Sequence, residues 1–171
     1  GKTSASFANS NPEFSNKINI EGLKTIVSLT EERAKFVYLS SSRCFDGNYP
    51  FYTEVDQVVP KDEYGRQKID AENSILSQRK NSVILRLSKV INPNEPFLHS
   101  ASYSLYSNRQ IEMSNDKFFS PISAEMILFA INRCLSYNIT GITHFSPIKP
   151  LTYFDFFRSF AQFKGLPVEL V

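Results

Sequence analysis

The spacing of apolar positions along this chain changes period several times, and each change marks an element. Between Phe14 and Thr30 the residues Ile18, Leu23, Ile26, Val27 and Leu29 recur at the spacing that lines one face of a helix. Lys35 to Leu39 then reads KFVYL, an uninterrupted apolar run closed by Ser40, Ser41 and Ser42, and Ser82 to Val90 reads SVILRLSKV. Short runs of this kind suit strands buried on both faces, as in a parallel sheet. Asp62 to Arg79 predicts a helix between these strands, with Pro60 just ahead of its start. Ile122 to Tyr137 predicts another, on the stripe Met126/Ile127, Ala130/Ile131 and Leu135, and Ile142 to Phe145 predicts a strand. Thr152 followed by Asp155 marks the start of a last helix, which stops at Gly165-Leu166-Pro167. Its residues Phe154, Phe157, Phe160 and Phe163 predict a core stripe.

Residues 1–16, rich in Ser and Asn around Asn11-Pro12, read as loop, and so does 45–60 with Asp46-Gly47 and Tyr49-Pro50 as turn formers. Residues 97–120 are the least patterned, with a short strand expected at Gln110–Met113. Helices alternating with buried strands predict an α/β architecture with a parallel sheet. The expected division is 1–93 and 94–171.

Composition narrows the function classes. The chain has 171 residues, with 19 basic against 17 acidic side chains and a formal charge of +2. That leaves no polyanion footprint and argues against a nucleic-acid partner. No run of 18 apolar residues is present, so no membrane partner is expected. Cys44, Cys134, His99 and His144 are too dispersed for a metal-binding spacing, so no metal site is expected and both histidines read as structural or surface residues. Two isolated cysteines suit a reducing, cytoplasmic compartment. A chain that opens on Gly1 and first reaches methionine at Met113 reads as part of a longer polypeptide. The closest two of its six glycines are 18 residues apart, so it holds no glycine-rich phosphate loop.

The candidate chemistry starts from Tyr64 and Lys68, a Y-x-x-x-K pair on one face of the helix predicted at 62–79. Alone this means little, because composition gives about half a chance match. Its setting adds weight: FVYLSSSRCFDG, EVDQVVPKDEYGRQKIDAE and VILRLSKV follow in order as buried strand, loop with helix, and buried strand. This ordered set resembles the extended short-chain dehydrogenase/reductase superfamily, and within it the dTDP-4-dehydrorhamnose reductase-like branch of NAD-dependent epimerases/dehydratases. Asn11-Pro12-Glu13 with Asn19 and Gly22, the stretch SNDKFFSPIS and the closing GITHFSPIKPLTYFDFFRSFAQFKGLP extend the resemblance over nearly the whole chain.

The resemblance implies the C-terminal-side portion of a Rossmann-type doubly wound parallel sheet with a small substrate-binding region. It implies an NAD(P)-dependent nucleotide-sugar oxidoreductase of polysaccharide biosynthesis, using NAD or NADP, with an epimerase/dehydratase or a non-catalytic regulatory module as alternatives. A nucleotide sugar is the implied substrate and a homodimer one implied assembly. By position, Tyr64 would be the general acid/base, Lys68 its electrostatic partner and Ser41 the hydroxyl that orients the substrate oxygen. Thr3, Asn19, Ser40 and Ser88, with Tyr64 and Lys68, would contact the cofactor; Ser42, Lys89, Asp116 and Ser120 would face the substrate. Asn19 has an equal reading as a helix-terminal hydrogen-bonding residue. Arg79, Lys80, Arg86 and Lys89 are either solvated charges or partners for phosphate.

A tyrosine acting as base at pH 7 needs its pKa lowered by about three units, near 4 kcal/mol. An ammonium about 5 Å away supplies roughly 3 kcal/mol of that at an effective dielectric of 20. Ser42-Arg43 stands where the family has Asp-Tyr, Lys89 where an aromatic residue or Asn is common, and Ile91-Asn92 where Tyr-Gly precedes Pro93. These departures weigh toward a module, whereas Ser41, Tyr64 and Lys68 weigh toward an enzyme.

Overall fold

The three apolar runs form one parallel sheet. In the computed structural model, which describes residues 5–171, β1 (Phe36–Ser41) and β6 (Gly141–Phe145) flank β2 (Ser82–Leu87). Ser41 lies opposite Leu87, and Leu87 opposite Phe145, so all three strands end on one side. Every residue of β2 is buried, which is why this strand tolerates no polar alternation. Thr3, one of the expected cofactor contacts, lies outside the described residues.

Helix α4 (Glu63–Gln78) carries the chain from β1 back to β2. Its Ile75 joins Ile84 of β2 and Val27 of α3 (Gly22–Leu29) in a core cluster, with Phe36, Tyr38 and Ile142 against it. Asp62 caps α4 by accepting the Gly65 N–H at 2.8 Å. Arg79, read from sequence as a solvated charge or a phosphate partner, instead donates to the carbonyls of Val27, Thr30 and, at 2.7 Å, Glu31. It therefore closes the C-terminal end of α3.

The segment expected as loop at 1–16 is helical where described: α1 (Ala5–Ser10) is followed by α2 (Pro12–Asn16). Pro12 opens α2 rather than breaking a helix, since its missing N–H is one no helix uses there. The helix expected from 14 to 30 is interrupted by one π turn, Lys17–Glu21.

The described residues up to Leu87 with Phe129–Phe145 form one compact unit, and Ser88–Leu128 with Ser146–Val171 a second. The second unit holds the short parallel pair β3 (Lys89–Val90) and β5 (Pro121–Ile122) and the antiparallel pair β4 (Phe118–Phe119) and β7 (Leu151–Thr152). Helix α5 (Pro96–Tyr106) occupies part of the stretch that read as unpatterned, and the strand expected at 110–113 does not form. Leu98, Ala101 and Phe157 of α7 (Tyr153–Lys164) make one small core, and Leu105, Ala161 and Leu166 another. Thr152 caps α7 as its sequence predicts, accepting the Asp155 N–H at 2.9 Å, and Gly165 ends it at φ 65°. Only part of the predicted phenylalanine stripe is core: Phe157 is buried but Phe163 is 85% exposed. Three-residue steps fall short of a full turn, so Phe163 stands about 180° around the helix from Phe154. Helix α6 (Ala124–Ser136) leads into β6.

Candidate functional site

Tyr64 and Lys68 sit one turn apart on the face of α4 that meets β1. The Lys68 amine donates to the Leu39 carbonyl at 2.9 Å and to the Tyr38 hydroxyl at 3.2 Å. It lies 4.6 Å from the Tyr38 ring centre and 5.6 Å from that of Tyr64, between two aromatic faces. Burial brings its pKa down to about 8, against the pull of the Glu72 carboxylate.

Tyr64 is 9% exposed. Burial pushes its hydroxyl above the ordinary value, the Arg43 guanidinium opposes this, and Asp62 adds to it. The electrostatics expected from sequence are therefore corrected in one respect. Lys68 faces the Tyr64 ring and spends two N–H groups on β1, and the cation that favours the phenolate is Arg43. A tyrosine in this setting rests protonated, which is the state of a proton donor.

Gly65 explains how Tyr64 comes so close to the end of β1. A Cβ at this position would stand 2.2 Å from the Arg43 carbonyl oxygen and 3.0 Å from Pro60 Cβ. The first turn of α4 thus lies directly on the 3₁₀ turn Ser42–Cys44 that follows β1, and only glycine permits it. An ion pair between Arg43 and Asp62, with Nε to Oδ2 at 3.0 Å, fastens the same two segments. Arg43, read from sequence as a departure from the family pattern, thereby has a structural task.

Ser41 ends β1 two residues beyond Leu39, and its hydroxyl accepts the Arg43 N–H at 3.3 Å. No hydrogen bond joins it to Tyr64 among the described residues. Ser40 is placed differently from its expected cofactor role. It is 4% exposed, and its hydroxyl donates to Glu72 beneath α4, because alternation along β1 puts it on the Tyr38 face. Glu72 also pairs with Arg86 of β2, Nη2 to Oε2 at 2.7 Å, with both side chains buried. Arg86 is thus committed to a core carboxylate, not to a ligand phosphate. Its Nη1 lies 3.5 Å from His144 Nε2, while His144 Nδ1 meets the Tyr52 carbonyl at 3.1 Å and its backbone N–H donates to Glu54. Phe45 stacks on Tyr52 at 4.3 Å, and the 45–54 loop is tied to β6 through these contacts.

Asn19 lies in the π turn and donates to Gln67 Oε1 at 2.9 Å. Gln67, 1% exposed, passes the connection to Ser15 at 2.8 Å and Glu63 at 2.8 Å. The π turn is therefore pinned to α4 one residue before Lys68. Ser88 directly follows β2, and its hydroxyl oxygen is buried with no hydrogen-bond partner among the described residues. Such an orphaned group fits the role of a ligand contact.

The expected substrate contacts are spread over both units. Ser42 is exposed on the 3₁₀ turn of the first. In the second, Lys89 is exposed with its amine 5.9 Å from the Phe97 ring centre, and Ser120 is half-buried between β4 and β5. Asp116 is exposed, accepts from Ser114 at 2.5 Å and is held below the usual carboxylate range by that bond.

Tyr38, Glu72 and Gln67 were not singled out by motif. Glu72 continues the Tyr64–Lys68 stripe by another four residues, and Arg86 interrupts an apolar strand, so a buried ion pair was readable from spacing and charge. Among the described residues no group of three His, Cys, Asp or Glu side chains could hold a metal ion, and no helix is long and apolar enough to cross a membrane.

Comparison with known proteins places this geometry. The profile of the RmlD substrate binding domain matches residues 3–170. Methionine adenosyltransferase 2 subunit beta of Rattus norvegicus is 25% identical over 169 residues, which cover 92% of this chain and 51% of that protein. A dTDP-4-dehydrorhamnose reductase of Sinorhizobium fredii is 28% identical over 154 residues, covering 84% and 52%. The crystal structure of dTDP-4-dehydrorhamnose reductase from Bacillus anthracis in complex with NADP superposes with a TM-score of 0.89 at 20% identity, over 98% of this chain and 61% of that one. The chain spans about half the length of the curated relatives it matches. Its parallel sheet and covering helices have the Rossmann-like fold of that crystal structure.

Proposed function

Since the chain belongs to the RmlD substrate binding domain family, we propose that it provides the acid–base part of an NAD(P)-dependent nucleotide-sugar oxidoreductase. The reading is carried by one observation: Lys68 is clamped to β1 against the ring of a buried Tyr64, one turn along the same helix. Relatives named as dTDP-4-dehydrorhamnose reductases support a keto-sugar nucleotide as the substrate class.

The residues fit one end of such a cofactor. The third N–H of Lys68 is suited to a ribose or nicotinamide oxygen, while this chain's widely spaced glycines supply no pyrophosphate cradle. When bound, the cofactor supplies the hydride that reduces the sugar carbonyl. Tyr64 gives its hydroxyl proton to the carbonyl oxygen, so a C=O group becomes CH–OH and Tyr64 becomes a phenolate. Arg43 favours that phenolate until water returns the proton, and Lys68 stays against the Tyr64 ring. Ser41, at the end of β1, donates to the same sugar oxygen and orients it.

The test is NAD(P)H oxidation with a dTDP-4-keto-6-deoxy sugar, using the full polypeptide. Tyr64→Phe lowers turnover by about 10²-fold or more, because it deletes the transferable proton with little change of shape. A rate within about twofold of the parent overturns the assignment. The similarity to methionine adenosyltransferase 2 subunit beta favours a second reading, a non-catalytic module. Nucleotide-sugar binding without turnover in the parent decides for it.

A further inference from the structure

Lys68 is held by more than its relation to Tyr64. An ammonium has three N–H donors, and β1 takes two, through the Leu39 carbonyl at 2.9 Å and the Tyr38 hydroxyl at 3.2 Å. The Tyr38 ring also lies under the amine, 4.6 Å from ring centre to Nζ, and packs against the Val27/Ile75/Ile84 cluster, so it has little freedom to move. We propose that Tyr38 is a positioning residue for Lys68, whose ring and hydroxyl keep the amine over Tyr64 in both of its charge states and leave one N–H to meet a ligand. The proposal rests on the reading of Lys68 as part of an acid–base site.

Tyrosine suits this task better than its neighbours in size or polarity. Toward an ammonium its oxygen accepts a hydrogen bond; toward a neutral amine its O–H can turn and donate to the lone pair. Phenylalanine would keep the ring but lose both bonds, and a carboxylate would lock the amine in its charged form. Both charge states matter, because burial brings Lys68 to about 8. Tyr38 itself stays protonated, since burial, with Tyr64 and Glu72 adding, raises its hydroxyl far above the ordinary value. The titratable groups facing the amine are Tyr38 from β1 and Tyr64 and Glu72 from its own helix. Arg86, from β2, is engaged with Glu72, and Arg43, from the turn after β1, acts on Tyr64.

The experiment is a titration of the protein labelled with [¹³Cε]lysine and followed by NMR, with the Lys68 signal identified by its loss in Lys68→Met. The parent is expected to titrate near 8 and to show a nuclear Overhauser contact between the Lys68 ε-methylene and the Tyr38 ring. Tyr38→Phe removes an acceptor from the ammonium and a donor from the neutral amine; the charge-assisted bond is the stronger of the two, so the midpoint falls by about half a unit or more. The same displacement is expected in a Tyr64→Phe background, which separates this proposal from the fate of Tyr64 as a catalytic residue. A midpoint unmoved to within about 0.1 unit overturns it. So does the absence of the Overhauser contact in the parent, a result available even if Tyr38→Phe does not fold.

Discussion

Lys68 carries a charge whose cost depends on pH. Its amine titrates at about 8 in the folded chain against 10.5 for an ordinary lysine. Between those values the unfolded chain binds a proton that the folded chain has released, so this group makes stability rise with pH across that window and adds a constant penalty below it. Comparison of the parent with Lys68→Met isolates the effect from Cys44 and Tyr38, whose raised values act in the opposite direction at higher pH. The parent is expected to gain stability relative to the variant as pH rises from about 8 to 10.5, measured by denaturant unfolding at a series of pH values. Parallel curves would show that the amine is solvated. The sequence points to Lys68 through its spacing from Tyr64, but not to Tyr38, which reads as one apolar residue in KFVYL. The roles of Ser40 and Ser41 were also open to separation by reasoning. Adjacent residues of a strand face opposite sides, so one of the two was bound to point beneath α4.

At the level of elements, the site depends on how closely α4 meets the turn after β1. Gly65→Ala gains about 1 kcal/mol of helix propensity but sets a Cβ 2.2 Å from a backbone oxygen, a clash that no rotamer relieves. Overpacking typically costs about 1–3 kcal/mol, so a net loss of stability is expected in chemical denaturation, together with weakened Arg43–Asp62 contact. A stabilised variant would mean that the two segments stand further apart. The Glu72–Arg86 pair beneath the helix makes a second element-scale case. Glu72→Ala leaves a buried guanidinium unpaired and is expected to cost about 3–5 kcal/mol, whereas replacing both by Leu and Met should cost far less. Equal losses in the single and double variants would contradict a pairwise role. Element boundaries were legible where periodicity was strong, as in β1, β2, α4 and α7. They were not where proline stood at an element's start: the segment around Asn11-Pro12 reads as loop and the stretch after Pro96 as unpatterned, yet both prolines occupy the first helical turn. The Leu98, Ala101 and Leu105 spacing inside α5 was present in the sequence but masked by Ser and Tyr between them.

At the scale of the whole molecule, the chain holds the proposed acid–base pair without the loop that dinucleotide sites depend on. Affinity at such sites draws heavily on backbone amides of a glycine-rich turn and a helix N-terminus around the pyrophosphate. The closest glycines here are 18 residues apart, and the contacts available from Ser41, Tyr64 and the free N–H of Lys68 are few. Each hydrogen bond contributes about 1 kcal/mol once water competes, and one to a charged group roughly twice that. Their sum is about 4 kcal/mol, which corresponds to a dissociation constant near 1 mM before the cost of ordering the ligand. These 171 residues alone are therefore expected to bind NAD(P) no tighter than millimolar in calorimetric titration, with Lys68→Met weakening even that. A micromolar constant, about 8 kcal/mol, would exceed what these side chains can supply and would require a second dinucleotide site built from other residues of the chain.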